Sequence, residues 1–231
     1  MINEFKYHLY RIIAFFFKYL PHGPIRRKLV YRFRFYLIQG YLAKYQLKSG
    51  DFVVDGGAFD GFFTFYAAKI VGNKGKVIAF EPDIINYKNL IEQKIKNKFK
   101  NVIIINKGLW SEEKILKLST RSSDDNMEAS FFSGVEDNNT IDVPVAKLDD
   151  ELKKLGIEKV DFIKMDIEGA EIEAVKGAKN LLTNYSINLA IASYHIVNGE
   201  KTCYKLEELL NKLGYKTLTS FPEHLTTYAF K

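Results

Sequence analysis

A chain of 231 residues with 47% hydrophobic content has room for one domain plus an appendage and ample material for a single core. Its one cysteine, Cys203, excludes an intrachain disulfide framework and a cysteine-based zinc site, and favours a reducing, cytoplasmic setting. The net charge of +6 is unevenly placed: residues 1–48 hold ten Lys or Arg against the single acid Glu4, a net +9, so the other 183 residues carry −3.

That basic appendage reads as two helical segments. Residues 7–20 are rich in Ile, Phe, Tyr and Leu, but Arg11 and Lys18 interrupt a stretch too short to span a bilayer. No small-residue cleavage site follows, and Pro21, His22, Gly23 and Pro24 form a helix stop. Residues 25–45 mix Arg26, Arg27, Lys28, Arg32 and Arg34 with Tyr31, Phe33, Phe35 and Tyr36. Two readings stay open for residues 1–46: helices packed on the main domain with basic stems over apolar surface, or peripheral contact with anionic lipid at the inner membrane face. Nucleic acid is a third partner, supported by charge and aromatics alone.

The first informative stretch is DFVVDGGAFDG, residues 51–61. Phe52, Val53 and Val54 read as a buried parallel strand delivering Asp55 to its carboxyl end, where open α/β sheets bind ligands. Gly56, Gly57 and Gly61 permit a tight turn into a helix with Thr64 in its first turn. The spacing is not the G-x-G-x-x-G of a dinucleotide fingerprint. An acid at such a turn suits a ligand with positive charge, S-adenosylmethionine with its ammonium and sulfonium among them; an ordinary strand-to-helix turn with a capping acid is the alternative.

KVIAF, residues 76–80, reads as a second strand closed by Glu81, 26 residues after Asp55. That is near the separation at which an acid ending a second strand accepts from both hydroxyls of a ribose. A lysine-rich helix over residues 84–99 follows, with Ile84, Tyr87, Leu90, Ile91 and Ile95 as a stripe expected to pack on the sheet. Residues 102–105 are a third strand, after which Leu109 or Trp110 is placed to wall an adenine, Trp110 being equally suited to the core. The polar stretch 121–139 reads as a long loop over a binding site. A strand over 140–145 and a helix over 148–155 come next.

VDFIKMDIEGAE, residues 160–171, is the second informative stretch. Its strand brings Asp166 to the same carboxyl edge, with Glu168 and Glu171 directly behind. Lys164 within an apolar strand needs a partner, most simply a nearby acid. A strand over 188–193 brings Tyr194 and His195 to that edge, and of the four histidines His195 alone is expected there. After a helix over 204–213, residues 215–220 and 225–230 make two closing strands that point to an antiparallel edge.

Taken together, VVDGGAFDGFFT, VIAFEPD, the Leu148-Asp149-Asp150 opening a helix, FIKMDIEGAEIEAVKGA and LEELLNKLGYK resemble the FkbM family of S-adenosylmethionine-dependent methyltransferases from about Leu47 to the C-terminus. The resemblance implies a class I methyltransferase (Rossmann-like α/β) fold: a seven-stranded, mostly parallel sheet with helices on both faces, residues 47–231 forming this domain and 1–46 a helical extension. It implies that Asp55, Gly57 and Gly61 surround the methionine part of S-adenosylmethionine, with Ala58 also among the cofactor-binding residues, that Thr64 lies near its carboxylate, that Glu81 holds the ribose and that Asp166 faces the transferring methyl. Phe59 departs from the family, which often has Asn there. Because the family commonly modifies sugars, glycans or secondary metabolites, an O-methyltransferase with a small-molecule or glycan acceptor is expected, Asp166 or His195 being the general base and Glu168 assisting. A variant has Asp166, Glu168 and His195 hold a divalent cation. N-methylation, or a non-catalytic membrane-surface or nucleic-acid-binding protein on the same fold, are the alternatives.

Overall fold

The computed structural model describes residues 23–120, 129–130, 140–221 and 224–231. Its frame is a seven-stranded sheet. In chain order the strands of the fold are β1 Phe52–Gly56, β2 Lys76–Phe80, β3 Val102–Ile105, β4 Gly108–Leu109, β5 Lys114–Thr120, β6 Ala129–Ser130, β7 Thr140–Ala146, β8 Phe162–Met165, β9 Asn188–Ala192, β10 Ile196–Val197, β11 Glu200–Lys201, β12 Lys216–Ser220 and β13 Thr226–Phe230. The large sheet runs β12-β13-β9-β8-β1-β2-β3. From β9 to β3 all neighbours are parallel, while β13 is antiparallel to both β9 and β12. The outermost strand of that side, β12, therefore points the same way as the parallel set. The two closing strands form the antiparallel edge expected from the sequence, and β13, next to the outermost strand, is the one reversed strand of that sheet.

The central strands are apolar because both of their faces are covered, as a parallel sheet requires. Val53, Phe162 and Ala190 pack in one core cluster with Ala67, Ala68 and Val71 of the helix Phe62–Val71 and Leu90 of the helix Ile84–Lys96. Val54, Ile163 and Ile191 pack in the other, with Ala174 and Val175 of Glu171–Gly177 and Leu206 and Leu210 of Thr202–Lys212. The expected stripe on Ile84–Lys96 is narrower than its spacing implied. Leu90 alone of that stripe is fully buried, and Ile84 and Ile95 stay exposed.

A second sheet, ordered β4-β7-β5-β6, lies outside the expectations, because the lysines of KILKLST masked the alternation of β5. Its β6 sits within the stretch read as a long loop. The rest of that loop, residues 121–128 and 131–139, and the first apolar segment, 7–20, lie outside the described residues.

The second basic segment is the helix Pro24–Tyr41, entered through an extended Gly23 and a proline in its first turn. It packs on the domain. Ile38, Tyr41 and Leu42 belong to the core cluster under β1, Tyr31 and Phe35 meet Phe62 and Tyr66 edge-on, Arg34 pairs with Asp60, and Tyr228 donates from its hydroxyl to the Gly40 carbonyl at 2.6 Å. Among the described residues no helix is long and apolar enough to cross a membrane.

Candidate functional site

Because β8, β1 and β2 are adjacent and parallel, their carboxyl ends bring Asp166, Asp55 and Glu81 to one edge. The three acids are not equivalent there.

Asp55 is fully buried and faces inward. Its Oδ2 accepts from Thr64 Oγ1 at 2.6 Å and its Oδ1 from Lys164 Nζ at 2.9 Å. Lys164 lies directly across from it in the β1–β8 register, and its other two contacts reach the carbonyls of Gly56 at 3.1 Å and Gly57 at 2.8 Å. The partner expected for Lys164 is therefore Asp55. Both Asp55 and Thr64 are fully buried and act on the turn from behind.

The glycines follow the same logic. Gly57 and Gly61 have φ of +74° and +82°, and a Cβ at Gly57 would stand 1.9 Å from the Asp166 carbonyl. A Cβ at Gly61 would strike the Phe65 ring and Leu90. The protein's own backbone and side chains demand these glycines, rather than ligand approach alone. Gly57 and Ala58 both donate backbone N–H to the Phe80 carbonyl, at 3.1 and 3.0 Å, which ties the turn to β2.

Glu81 closes that connection from the other side. Its Oε2 accepts from Phe59 N at 2.7 Å and its Oε1 from Asp83 N at 3.0 Å. Burial raises its carboxyl above the ordinary value, and the two backbone donors only partly oppose this. Phe59 presents its N–H from a left-handed conformation, φ 51°, and the residue is 44% exposed at the turn.

Of the three acids Asp166 alone keeps appreciable exposure at the edge, its side chain being 23% accessible. Its Oδ2 accepts from Tyr41 Oη at 2.8 Å and lies 3.5 Å from His224 Nε2, while its Oδ1 accepts from Tyr194 Oη at 3.2 Å. Burial works to raise this carboxyl, yet the hydrogen bond and charge of His224, with Lys164 and His195, hold it well below the usual carboxylate range.

Beside it stands a second group. His195 Nε2 is 3.2 Å from Glu168 Oε2, and its Nδ1 is 3.1 Å from Oε1 of the fully buried Glu171. Burial opposes a charged imidazole, but the two carboxylates outweigh it and push His195 up to about 10. Glu168 occupies a left-handed conformation, φ 54°, followed by Gly169 at φ 97°. That sharp turn is braced by Glu171 Oε1, which accepts from Ile167 N and Gly169 N.

Leu109 and Trp110, candidates for an adenine wall, are core residues at 1% and 8% exposure. Leu109 lies under Gly56, and the Trp110 carbonyl fills the space a Cβ at Gly177 would take. Two residues of the site were not anticipated. Tyr41 arrives from the extension, and His224 from the turn before β13. The signal for His224 was strand direction: β12 runs with the parallel set, so the turn that leaves it lies at the carboxyl edge. The rings of Tyr194, His195, His224 and Tyr41 adjoin over Asp166, Tyr194 standing 4.1 Å from His195 and 4.6 Å from His224 between centroids.

The Methyltransferase FkbM domain pattern matches residues 55–217. A methyltransferase of Sordaria araneosa, sdnD, is 28% identical over 171 residues, 57% of this chain and 61% of the relative. Among solved structures, the FkbM methyltransferase of Methylobacillus flagellatus KT aligns with a TM-score of 0.59 at 19% identity, covering 94% of this chain and 57% of that one. Aeropyrum pernix fibrillarin in complex with natively bound S-adenosyl-L-methionine aligns at 0.51 and 14% identity, covering 84% and 71%. The chain thus spans about three-fifths of the curated relative and of the first of these structures.

Proposed function

The chain belongs to the FkbM methyltransferase family, and from that premise we propose that it transfers a methyl group from S-adenosylmethionine to a hydroxyl oxygen of a sugar, glycan or secondary metabolite. The residues present fit the cofactor. The edge carries the carboxylates Glu81, Asp166 and Glu168 on either side of the turn 56–61, while the buried cation behind it, Lys164, is committed to Asp55 and two carbonyls and Arg34 is paired with Asp60. An excess of negative charge with a carboxylate at the end of the second strand suits a sulfonium nucleoside. Bound there, the cofactor supplies an electrophilic methyl on a sulfonium.

The protein's own part is placement and proton handling. Glu81 takes the ribose hydroxyls, the braced turn takes the methionine end, and the acceptor oxygen lies at Asp166. The oxygen–carbon bond forms as the sulfur–carbon bond breaks, and the hydroxyl proton leaves to water by way of the Asp166 carboxylate, His195 beside it already holding its own proton. Much of the rate then comes from holding the acceptor in line in a cleft that Tyr41, Tyr194 and His224 shield from water.

One observation carries the oxygen acceptor: each oxygen of Asp166 already accepts from a phenolic hydroxyl, Tyr41 and Tyr194. A carboxylate so arranged is chemically suited to receive a third O–H. Incubation of the purified chain with tritiated S-adenosylmethionine and a panel of sugars, glycolipids and crude secondary-metabolite extracts tests this. A methyl ether that disappears in Asp166→Asn is expected. Methyl groups found on nitrogen, or no S-adenosylmethionine binding that Glu81→Ala weakens, overturn it.

A further inference from the structure

We propose that Asp166, Glu168 and His195 form a binding site for a divalent cation of the Mg2+ or Mn2+ kind, shared with the acceptor hydroxyl. One ligand atom from each of the three lies within 4.8 Å of the other two. This inference rests on the methyl-transfer reading for its chemical purpose, but not for its test.

The arrangement around His195 is the second observation. A histidine that binds a metal through one ring nitrogen is held in orientation and tautomer by a carboxylate at the other. Here Nε2 faces Glu168 while Nδ1, buried and without an aligned hydrogen bond among the described residues, stands 3.1 Å from Glu171 Oε1 as a charge neighbour. Glu171 is fully buried, and its Oε2 meets no hydrogen-bond partner among the described residues. A buried carboxylate with an unmatched oxygen is costly unless positive charge stands nearby. Charge points the same way: Asp166, Glu168 and Glu171 face His195 and His224, and Lys164 is committed to Asp55.

The turn itself is shaped for ligation. Glu168 is held at φ 54° between strand end and helix start, which turns its carboxylate back onto His195 instead of out along the helix. Two carboxylate oxygens and one imidazole nitrogen leave half of an octahedral shell for water and substrate, the open arrangement magnesium and manganese favour. A hydroxyl sharing such an ion is acidified. Its proton leaves to water, the oxygen takes the methyl, and sulfur leaves as a neutral thioether.

The test is titration of the full chain with Mn2+ in the absence of S-adenosylmethionine, free ion being read by electron paramagnetic resonance and melting temperature followed in parallel. One saturable ion per chain that raises the melting temperature is expected, with affinity reduced roughly tenfold or more in His195→Gln and Glu168→Gln and also in Glu171→Gln, which touches no metal. Each variant's melt without metal reports that it folds. Absence of a stoichiometric site in the wild-type chain, or affinity unchanged in folded His195→Gln, overturns the proposal. Methyl transfer that proceeds fully in a strong chelator also overturns it while leaving the methyltransferase reading standing. A bound ion in a protein that transfers no methyl group retains the site and removes that reading.

Discussion

Lys164 Nζ and Asp55 Oδ1 stand 2.9 Å apart, both almost wholly removed from solvent, on adjacent strands in direct register. The pair links the two informative stretches of the sequence. Asp55 ends the strand before the glycine turn and Lys164 precedes Asp166 by one alternation of β8. The remaining donors of the ammonium hold the carbonyls of Gly56 and Gly57, so one buried cation fixes the turn and the strand end together.

Removing one partner leaves the other charge stranded. Lys164→Met is expected to lower stability by about 3–5 kcal/mol, because an unpaired buried carboxylate keeps its desolvation cost and loses its compensation. Lys164→Met with Asp55→Asn is expected to recover a large part of that loss in urea unfolding. A double variant no more stable than Lys164→Met alone would show that the ammonium matters for packing and not for charge.

Glu81 is predicted to leave a signature in the pH dependence of stability. Its folded carboxyl titrates above the ordinary value, so between the two values the folded state binds more protons than the unfolded one. Its contribution is therefore fully present below the ordinary carboxylate pKa and is lost as pH rises through the raised one. Replacement by Gln should flatten that segment of the stability curve and weaken S-adenosylmethionine at least about tenfold, the cost of one hydrogen bond to a charged acceptor. Chemical denaturation from pH 4 to 7, with equilibrium dialysis of the cofactor, reads both.

How far the sequence alone led is clearest at this edge. Largely apolar runs ending in Asp55, Glu81 and Asp166 made the parallel strands and their shared rim legible, since burial on both faces leaves such a pattern. Where a contact is made between segments remote in the chain, no local pattern records it. Tyr41 reaches Asp166 across 125 positions and Glu171 meets His195 across a helix start, and neither spacing carries a periodic mark. Asp55 shows the converse: its identity was legible, but its role as an inward counter-ion depended on which strand lay beside it.

Phe59 occupies a left-handed conformation that Asn adopts several-fold more readily than a bulky aromatic residue. Its N–H to Glu81 needs that conformation and, the residue being half-exposed, its ring forgoes little on removal. Phe59→Asn is expected to raise stability by about 1 kcal/mol, the low end of what such strain costs, or roughly 2–4 °C in Tm for a chain of this size. A drop in Tm would indicate that the ring itself contributes to the fold.

The extension is part of the site, and Tyr41→Phe isolates its contribution. The substitution keeps the ring among Ile38, Leu42 and Phe63 and removes only the hydroxyl that donates to Asp166 Oδ2 at 2.8 Å. With the aromatic packing intact, stability should change by no more than about 1 kcal/mol. The carboxylate loses one of two phenolic donors, so its position relative to the acceptor oxygen loosens. Methyl transfer should fall roughly tenfold in kcat, the scale of one hydrogen bond of about 1.4 kcal/mol felt in the transition state. Cofactor affinity should hold, since Glu81 and the turn at 56–61 are untouched. An unchanged kcat in this variant would mean that the helix Pro24–Tyr41 contributes to the fold alone, and that Asp166 is positioned by Tyr194 and His224.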